Sequence, residues 1–266
     1  MIDFDKIVKK LWKLEGKIVS IDDISDITDP DFRKKSVNRR FVTYKTLYRL
    51  KALGIITPVR QWLYFVGNGK SVDIDTTLEE RYWSIAKKVL TRETGGEYFL
   101  SGNKALEIYL RDYSIPRKLI VYSAKETKNL RLSEHYSLSI RAIKSGKKTS
   151  NRDLYGTMKK LVRSMEIEGE KIKIACPEAS ILDALLIRDN TERIDQYLIE
   201  KFIKRSGKSL DRTIMGALVE KKYITSINRL KEIATHMKNT ALAAMCLDII
   251  KQEGGGCFIS SDILWK

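Results

Sequence analysis

Apolar residues return along the start of the chain at Phe4, Ile7, Val8, Leu11 and Leu14, the spacing of one helical face, and Gly16 ends the run. Ser20, with Asp23 three residues on, has the form of an N-terminal capping box, and Ile21, Ile24 and Ile27 give the short helix that follows an inward stripe. Asp29-Pro30-Asp31 punctuates the chain, and Arg33 to Arg40 reads as a helical turn of its own or as an enlarged turn. From Val42 the helical period resumes. Thr46, Leu47, Leu50 and Leu53 fall on one face, and Lys45, Tyr48, Arg49 and Ala52 fall on the other. Gly54 is placed as the C-cap, and Ile55 to Val66 read as two strands turning near Arg60, closed by Gly67-Asn68-Gly69.

Beyond a linker at 68–77 the pattern changes. A helix is expected from Leu78 to Arg92, with Tyr82, Ile85, Ala86 and Val89 inward. Tyr98-Phe99-Leu100, the turn Ser101-Gly102-Asn103, a helix from Lys104 to Leu110 and the strand Leu119 to Tyr122 then form a strand, turn, helix, strand series. Leu138 to Ile143 continues it. Leu161 to Ile167 and Lys171 to Ala175 form a hairpin through Glu168-Gly169-Glu170, and Pro177 opens a helix at its first turn. Thr191 to Gln252 is helical in period, with breaks at Gly207 and at Ile224 to Ser226. The expected fold is α+β: a winged helix-turn-helix at 1–70, then a larger α/β domain at 71–266 that ends in a helical bundle.

Charge sharpens this picture. Between Phe32 and Val72 stand ten basic side chains and no Asp or Glu. Residues 1–70 hold 15 Lys plus Arg against 8 Asp plus Glu, or +7 of the chain's +16. A solvated helix face normally mixes signs, so a one-sign field beside a helix suited to the major groove points to double-stranded DNA. Lys45, Tyr48 and Arg49 are the candidate contacts to base edges or adjacent phosphates, with Thr43 and Thr46 adding polar contacts nearer the helix start. Arg39 and Arg40 extend the surface from the preceding basic segment, and Arg60 would meet phosphate or the minor groove from the wing. A second basic stretch, Arg141 to Arg163, opposes eight Lys and Arg to Asp153 alone; it reads as an extension of the DNA footprint with Lys147, Lys148 and Arg152 as candidate contacts, as a surface for an acidic partner, or as a charged loop around Ser145-Gly146. Trp62, Tyr64 and Phe65 sit in a strand and are read as core or wing packing.

Cys176, Cys246 and Cys257 are odd in number and lack C-x-x-C spacing, so they are expected to be free thiols. With two histidines far apart, a histidine-based metal centre is not expected, nor is a cofactor. No run of eighteen apolar residues and no basic-then-apolar leader is present, which gives an expectation of cytoplasmic location and no membrane partner.

Three pieces in this order resemble the AbiEi family, the antitoxin and transcriptional regulator of type IV toxin–antitoxin systems. They are the N-terminal winged-helix pattern with Tyr64-Phe65-Val66, the segment Glu97 to Leu106 followed by Ile115-Pro116, and Cys176 to Leu186. The resemblance covers most of the chain. It implies a protein that represses its own operon and counteracts a toxin similar to nucleotidyltransferases. The alternative is a winged-helix transcription factor or mobile-element protein with no toxin partner.

Phe99 to Leu106, followed by a helix and the strand Lys118 to Tyr122, also resembles the opening of nucleotidyltransferases, whose next strand carries two metal-binding acids. Here that strand has no carboxylate, and Lys118 would repel a cation. The expectation is therefore a nucleotidyltransferase-like core without the chemistry, and no enzyme. The G-x-S-x-G elbow and the phosphate loop ending in Gly-Lys are both absent, and Gly254-Gly255-Gly256 reads as a bend. Asp183 is read as capping or pairing, and Glu178 as favourable charge at a helix start.

Overall fold

The computed structural model describes residues 4–28, 37–69, 73–143, 159–186 and 194–253, without the side chains of 37–43 and 221–222. The protein is α+β, and it divides into two compact units. The first comprises Met1–Leu90 with Leu132–His135, and the second Thr91–Arg131 with Tyr136–Lys266. The expected boundary at residue 70 thus falls inside the first unit.

In the first unit, α1 (Phe4–Trp12), α2 (Ile21–Thr28) and α3 (Val37–Ala52) accompany a three-stranded sheet of β1 (Ile18–Ser20), β2 (Ile56–Arg60) and β3 (Leu63–Val66). The strand order is β1-β3-β2, antiparallel throughout. One core joins helices and sheet: Ile7 and Leu11, Ile24, Leu47 and Leu50, and Tyr64 and Val66 are all buried in it. The capping box at α2 forms in both directions, with the Ser20 N–H donating to Asp23 Oδ2 at 2.7 Å and the Asp23 N–H to Ser20 Oγ at 3.1 Å. Burial by itself would raise the Asp23 carboxyl, but the Ser20 bonds and the Lys88 ammonium at 3.1 Å outweigh it and hold the group below its ordinary value.

The helix whose period resumes at Val42 begins earlier than its pattern suggests. α3 starts at Val37, so Arg39 and Arg40 belong to its first turns, where a separate turn was expected. Its C-terminus is closed by a Schellman motif: Ile55 N–H donates to Leu50 O at 3.0 Å and Gly54 N–H to Lys51 O at 2.9 Å. Gly54 takes φ +65°, and a Cβ there would lie 3.0 Å from the Gly69 carbonyl oxygen, so both conformation and space require glycine. Leu53, expected inward, is 51% exposed, because it is the capping residue after the last helical turn and no longer follows the helical phase. The helix expected from Leu78 to Arg92 is two helices, α4 (Ile74–Glu80) and α5 (Tyr82–Thr94), the break falling at Arg81. α4 is capped by Asp73 and touches β2.

In the second unit, α6 (Gly102–Tyr109) is followed by β4 (Lys118–Ser123), β5 (Lys128–Arg131) and β6 (Ser137–Ala142), with β4 parallel and β5 antiparallel to the central β6. β7 (Val162–Ile167) and β8 (Glu170–Ala175) form the expected hairpin, its two-residue loop Glu168-Gly169 having positive φ at both positions, as a type I′ turn requires. The extended Phe99-Leu100 joins these two sheets, bridging to Tyr122 on one side and to Ile174 on the other. Helices α7 (Pro177–Ala184), α8 (Gln196–Ser206), α9 (Arg212–Leu218), α10 (Ile224–His236) and α11 (Thr240–Gln252) supply most of the second core, with Phe202, Tyr223, Leu230 and Ile250 fully enclosed. A 3₁₀ turn at Gly207–Ser209 and a π turn at Val219–Tyr223 mark the breaks expected near these points.

Cys176 and Cys246 are free and buried, and burial pushes both thiols up to about 12. Cys257 lies outside the described residues. No described helix is long and apolar enough to cross a membrane.

Candidate functional site

Along α3 the described side chains separate into two faces. Thr46, Leu47 and Leu50 turn to the core, while Tyr44, Lys45, Tyr48, Arg49 and Lys51 face outward. Tyr44 and Tyr48, one turn apart, are 61% and 77% exposed, a high degree for tyrosine. The Arg49 guanidinium carbon stands 4.0 Å from the centre of the Phe4 ring on α1, and the Lys51 ammonium 5.2 Å from that of Tyr64. Arg49 is thereby held over an aromatic face, which limits its rotamers and directs its remaining N–H groups outward.

The structure brings Lys45, Tyr48 and Arg49 together on this face, as the sequence pattern requires. Thr46 does not join them. It is 8% exposed, because its position in the helical period is adjacent to that of Leu47 and Leu50, so it packs and cannot make the expected polar contact. Arg60 closes β2, half-buried, with Nη1 enclosed and lacking a hydrogen-bond partner. The side chains of Arg39, Arg40 and Thr43 lie outside the described residues, as do Lys147, Lys148 and Arg152. Phe4 and Tyr44 escaped the sequence reading. Phe4 looks like one more apolar residue of α1, and only the tertiary arrangement sets Arg49 above it.

The second unit has a cavity of about 430 Å³ where the extended segment ends and α6 begins. Its polar wall includes Ser101, Asn103, Lys104, Lys118, Arg141 and Asp183, and its apolar wall includes Ile120 and Leu186. Ser101 is the N-cap of α6, yet its side chain makes no capping bond. Its hydroxyl is buried without a hydrogen-bond partner, and so is Asn103 Oδ1. Lys104, in the first turn, is occupied: its ammonium donates to Glu107 at 2.6 Å and to Ser114 Oγ at 3.1 Å. Asp183 accepts from the Tyr223 hydroxyl at 3.2 Å, and its Oδ2 would lie 3.2 Å from a Cβ on Gly102, which has φ +64°. Glu178, read from sequence as charge at a helix start, is 3% exposed and accepts the Asp211 N–H at 2.9 Å, which ties α7 to the start of α9.

These features define an α+β protein whose first unit presents a basic, aromatic helix face and whose second unit holds a cavity with a polar wall. No family model matches the chain, and no curated protein matches it. Among solved structures it is similar to the crystal structure of the RV2827C protein from Mycobacterium tuberculosis, at 12% identity and a TM-score of 0.54, over 91% of this chain and 80% of that one. At that identity the likeness shows the fold alone.

Proposed function

We propose that the first unit is a winged helix-turn-helix that binds double-stranded operator DNA, with α3 in the major groove and the β2–β3 hairpin as the wing. The observation that carries this reading is the outward face of α3, where Lys45, Tyr48 and Arg49 stand together within a stretch free of acids from Phe32 to Val72. Lys45 and Arg49 supply charge to phosphates and N–H donors to base edges, and the exposed tyrosines supply flat apolar surface and hydroxyls. Arg60, which closes β2 in this hairpin, would add positive charge near a phosphate at the wing.

On the same reading the chain is an AbiEi-type antitoxin that represses its own operon, and its second unit, a nucleotidyltransferase-like core lacking metal-binding acids on β4, counteracts a nucleotidyltransferase-like toxin. The support for this part is the order of the three sequence pieces given above. Retarded migration of a fragment of its own promoter tests the DNA half. The wild-type chain should retard it, and the Lys45→Ala, Arg49→Ala double variant should not; equal retardation by both would overturn the assignment. Growth of cells expressing the neighbouring toxin gene tests the second half, with rescue by residues 91–266 expected and rescue by residues 1–90 alone contrary to it.

A further inference from the structure

We infer that the exposed face of α8 binds a single strand of nucleic acid, its phosphates on Lys201, Lys204 and Lys208 and one of its bases stacked on Tyr197. The helical period builds this face. Leu198, Ile199, Phe202 and Ile203 are buried in the second core, and Tyr197, Lys201 and Lys204 fall on the opposite side within an arc of about 60°. Gly207 keeps helical backbone angles, so the exposed Lys208 follows about one turn after Lys204 and lengthens the stripe. Tyr197, at its start, is 77% exposed, which leaves its ring open to a flat partner.

Charge gives the class of ligand. Residues 196–209 carry four cations against Glu200 alone, and Glu200 accepts from the Gln196 amide at 2.9 Å. Arg205 is turned aside, donating to Leu110 O at 3.1 Å, whereas Lys201, Lys204 and Lys208 form no ion pair with a described residue. A solvated helix face mixes signs at spacings of three and four residues, and here lysine follows lysine. A further cation stands at the end of the stripe. Lys238 holds the left-handed position after α10 at φ 57°, and the side chain of its neighbour Asn239 lies 3.5 Å from where a Cβ on Gly207 would be. Glycine would be less strained there, so this lysine is held against a local conformational cost. Lysines one turn apart repeat every 4.5 to 6 Å or about that along the helix axis, close to the separation of neighbouring phosphates on an extended strand. Carboxylates of an acidic peptide would meet the lysines but leave Tyr197 unused, and a duplex keeps its bases stacked on one another. A lysine track that begins at an open aromatic ring therefore favours an unpaired strand.

The test is fluorescence anisotropy of labelled oligouridylate and oligothymidylate of about twelve nucleotides, titrated with the full chain at several salt concentrations. Binding should be saturable, and the ratio of the two affinities assigns the sugar. The Lys201→Ala, Lys204→Ala, Lys208→Ala triple variant should bind about tenfold or more weakly, with a salt slope shallower by about 2, at roughly 0.7 per phosphate contact on a single strand. Tyr197→Ala should cost about tenfold, and Tyr197→Phe, which keeps the ring, should bind as the wild type does. Lys238→Gly should weaken binding while the melting temperature rises, a combination that partial unfolding cannot produce. No saturation, indifference to the triple variant or to Tyr197→Ala, an equal loss of duplex binding in the α8 variants, or displacement of the strand by polyglutamate at matched charge would each overturn the inference. The α8 variants should retard the promoter fragment as the wild type does, and the Lys45→Ala, Arg49→Ala variant should bind the single strands normally, so this inference and the operator-binding proposal fail separately.

Discussion

At the scale of single residues, Thr46 and Tyr48 stand two positions apart and are assigned opposite work by their burial. Thr46→Ala should reduce stability by about 1 kcal/mol and leave operator affinity intact, since it removes a packed side chain. Tyr48→Ala should leave the melting temperature unchanged and weaken the operator complex about tenfold, or roughly 1.4 kcal/mol. Thermal melts beside gel retardation separate the two, and an operator defect in Thr46→Ala at full stability would refute the assignment. Asp23 makes a pH prediction. Its carboxyl titrates below the ordinary 3.8 because the Ser20 bonds and Lys88 outweigh burial. A lowered folded value means stabilisation that is complete above about pH 4 and disappears as pH falls through the folded value. Melts across that range should show a shallower acid limb for Asp23→Asn than for the wild type.

At the scale of elements, helix ends are the informative features. Among the described helices that end in Schellman-type motifs, α3, α6 and α10 differ in the residue that takes the left-handed position. α3 uses Gly54, whereas α6 uses Arg111 at φ 63° and α10 uses Lys238 at φ 57°. Arg111→Gly and Lys238→Gly should each stabilise by up to about 1 kcal/mol by removing a strained non-glycine residue. Gly54→Ala should destabilise by about 1–2 kcal/mol, because it adds strain and a contact with Gly69. Denaturant unfolding of the three variants checks the signs, and a stabilised Gly54→Ala would contradict the steric argument. Helices and the β7–β8 hairpin were legible because several turns or an alternating run repeat one signal. β1 and β5 were not, since three or four residues cannot carry a period, and their pairing is dictated by partners far away in sequence.

For the whole molecule, the division of the chain is a matter of contacts. Because α4 packs on β2, residues 1–90 should fold and retard operator DNA, whereas a chain cut at residue 70 should melt lower after losing that helix. Equal melting temperatures would show α4 to be dispensable to the first unit. The salt dependence of the full chain adds a second prediction. Each phosphate contact contributes a slope of about 0.9 in log K against log salt, so the Lys45→Ala, Arg49→Ala variant should be shallower by about 1.8 if both residues meet phosphate, and by less if Arg49 reads a base. Charge reversal at Lys147, Lys148 and Arg152 should lower slope and affinity together if the second basic stretch extends the footprint. Affinity unchanged by that reversal would confine DNA contact to the first unit.

The local pattern alone determined the α+β character, the capping box at Ser20 and Asp23, the stop at Gly54, the turn near Arg60 and the acid-free charge that surrounds α3. These depend on residues within one or two turns of each other, and short-range sterics, hydrogen bonding and charge are fully written in neighbouring positions. Tertiary packing decided the rest: that Leu53 is left exposed, that Arg49 rests on Phe4, and that Ser101, Lys118, Arg141 and Asp183 line one cavity. Those relations join residues some 15 to 80 positions apart in sequence, and a side chain's partner across such a separation is chosen by how helices and sheet fill space around a common core.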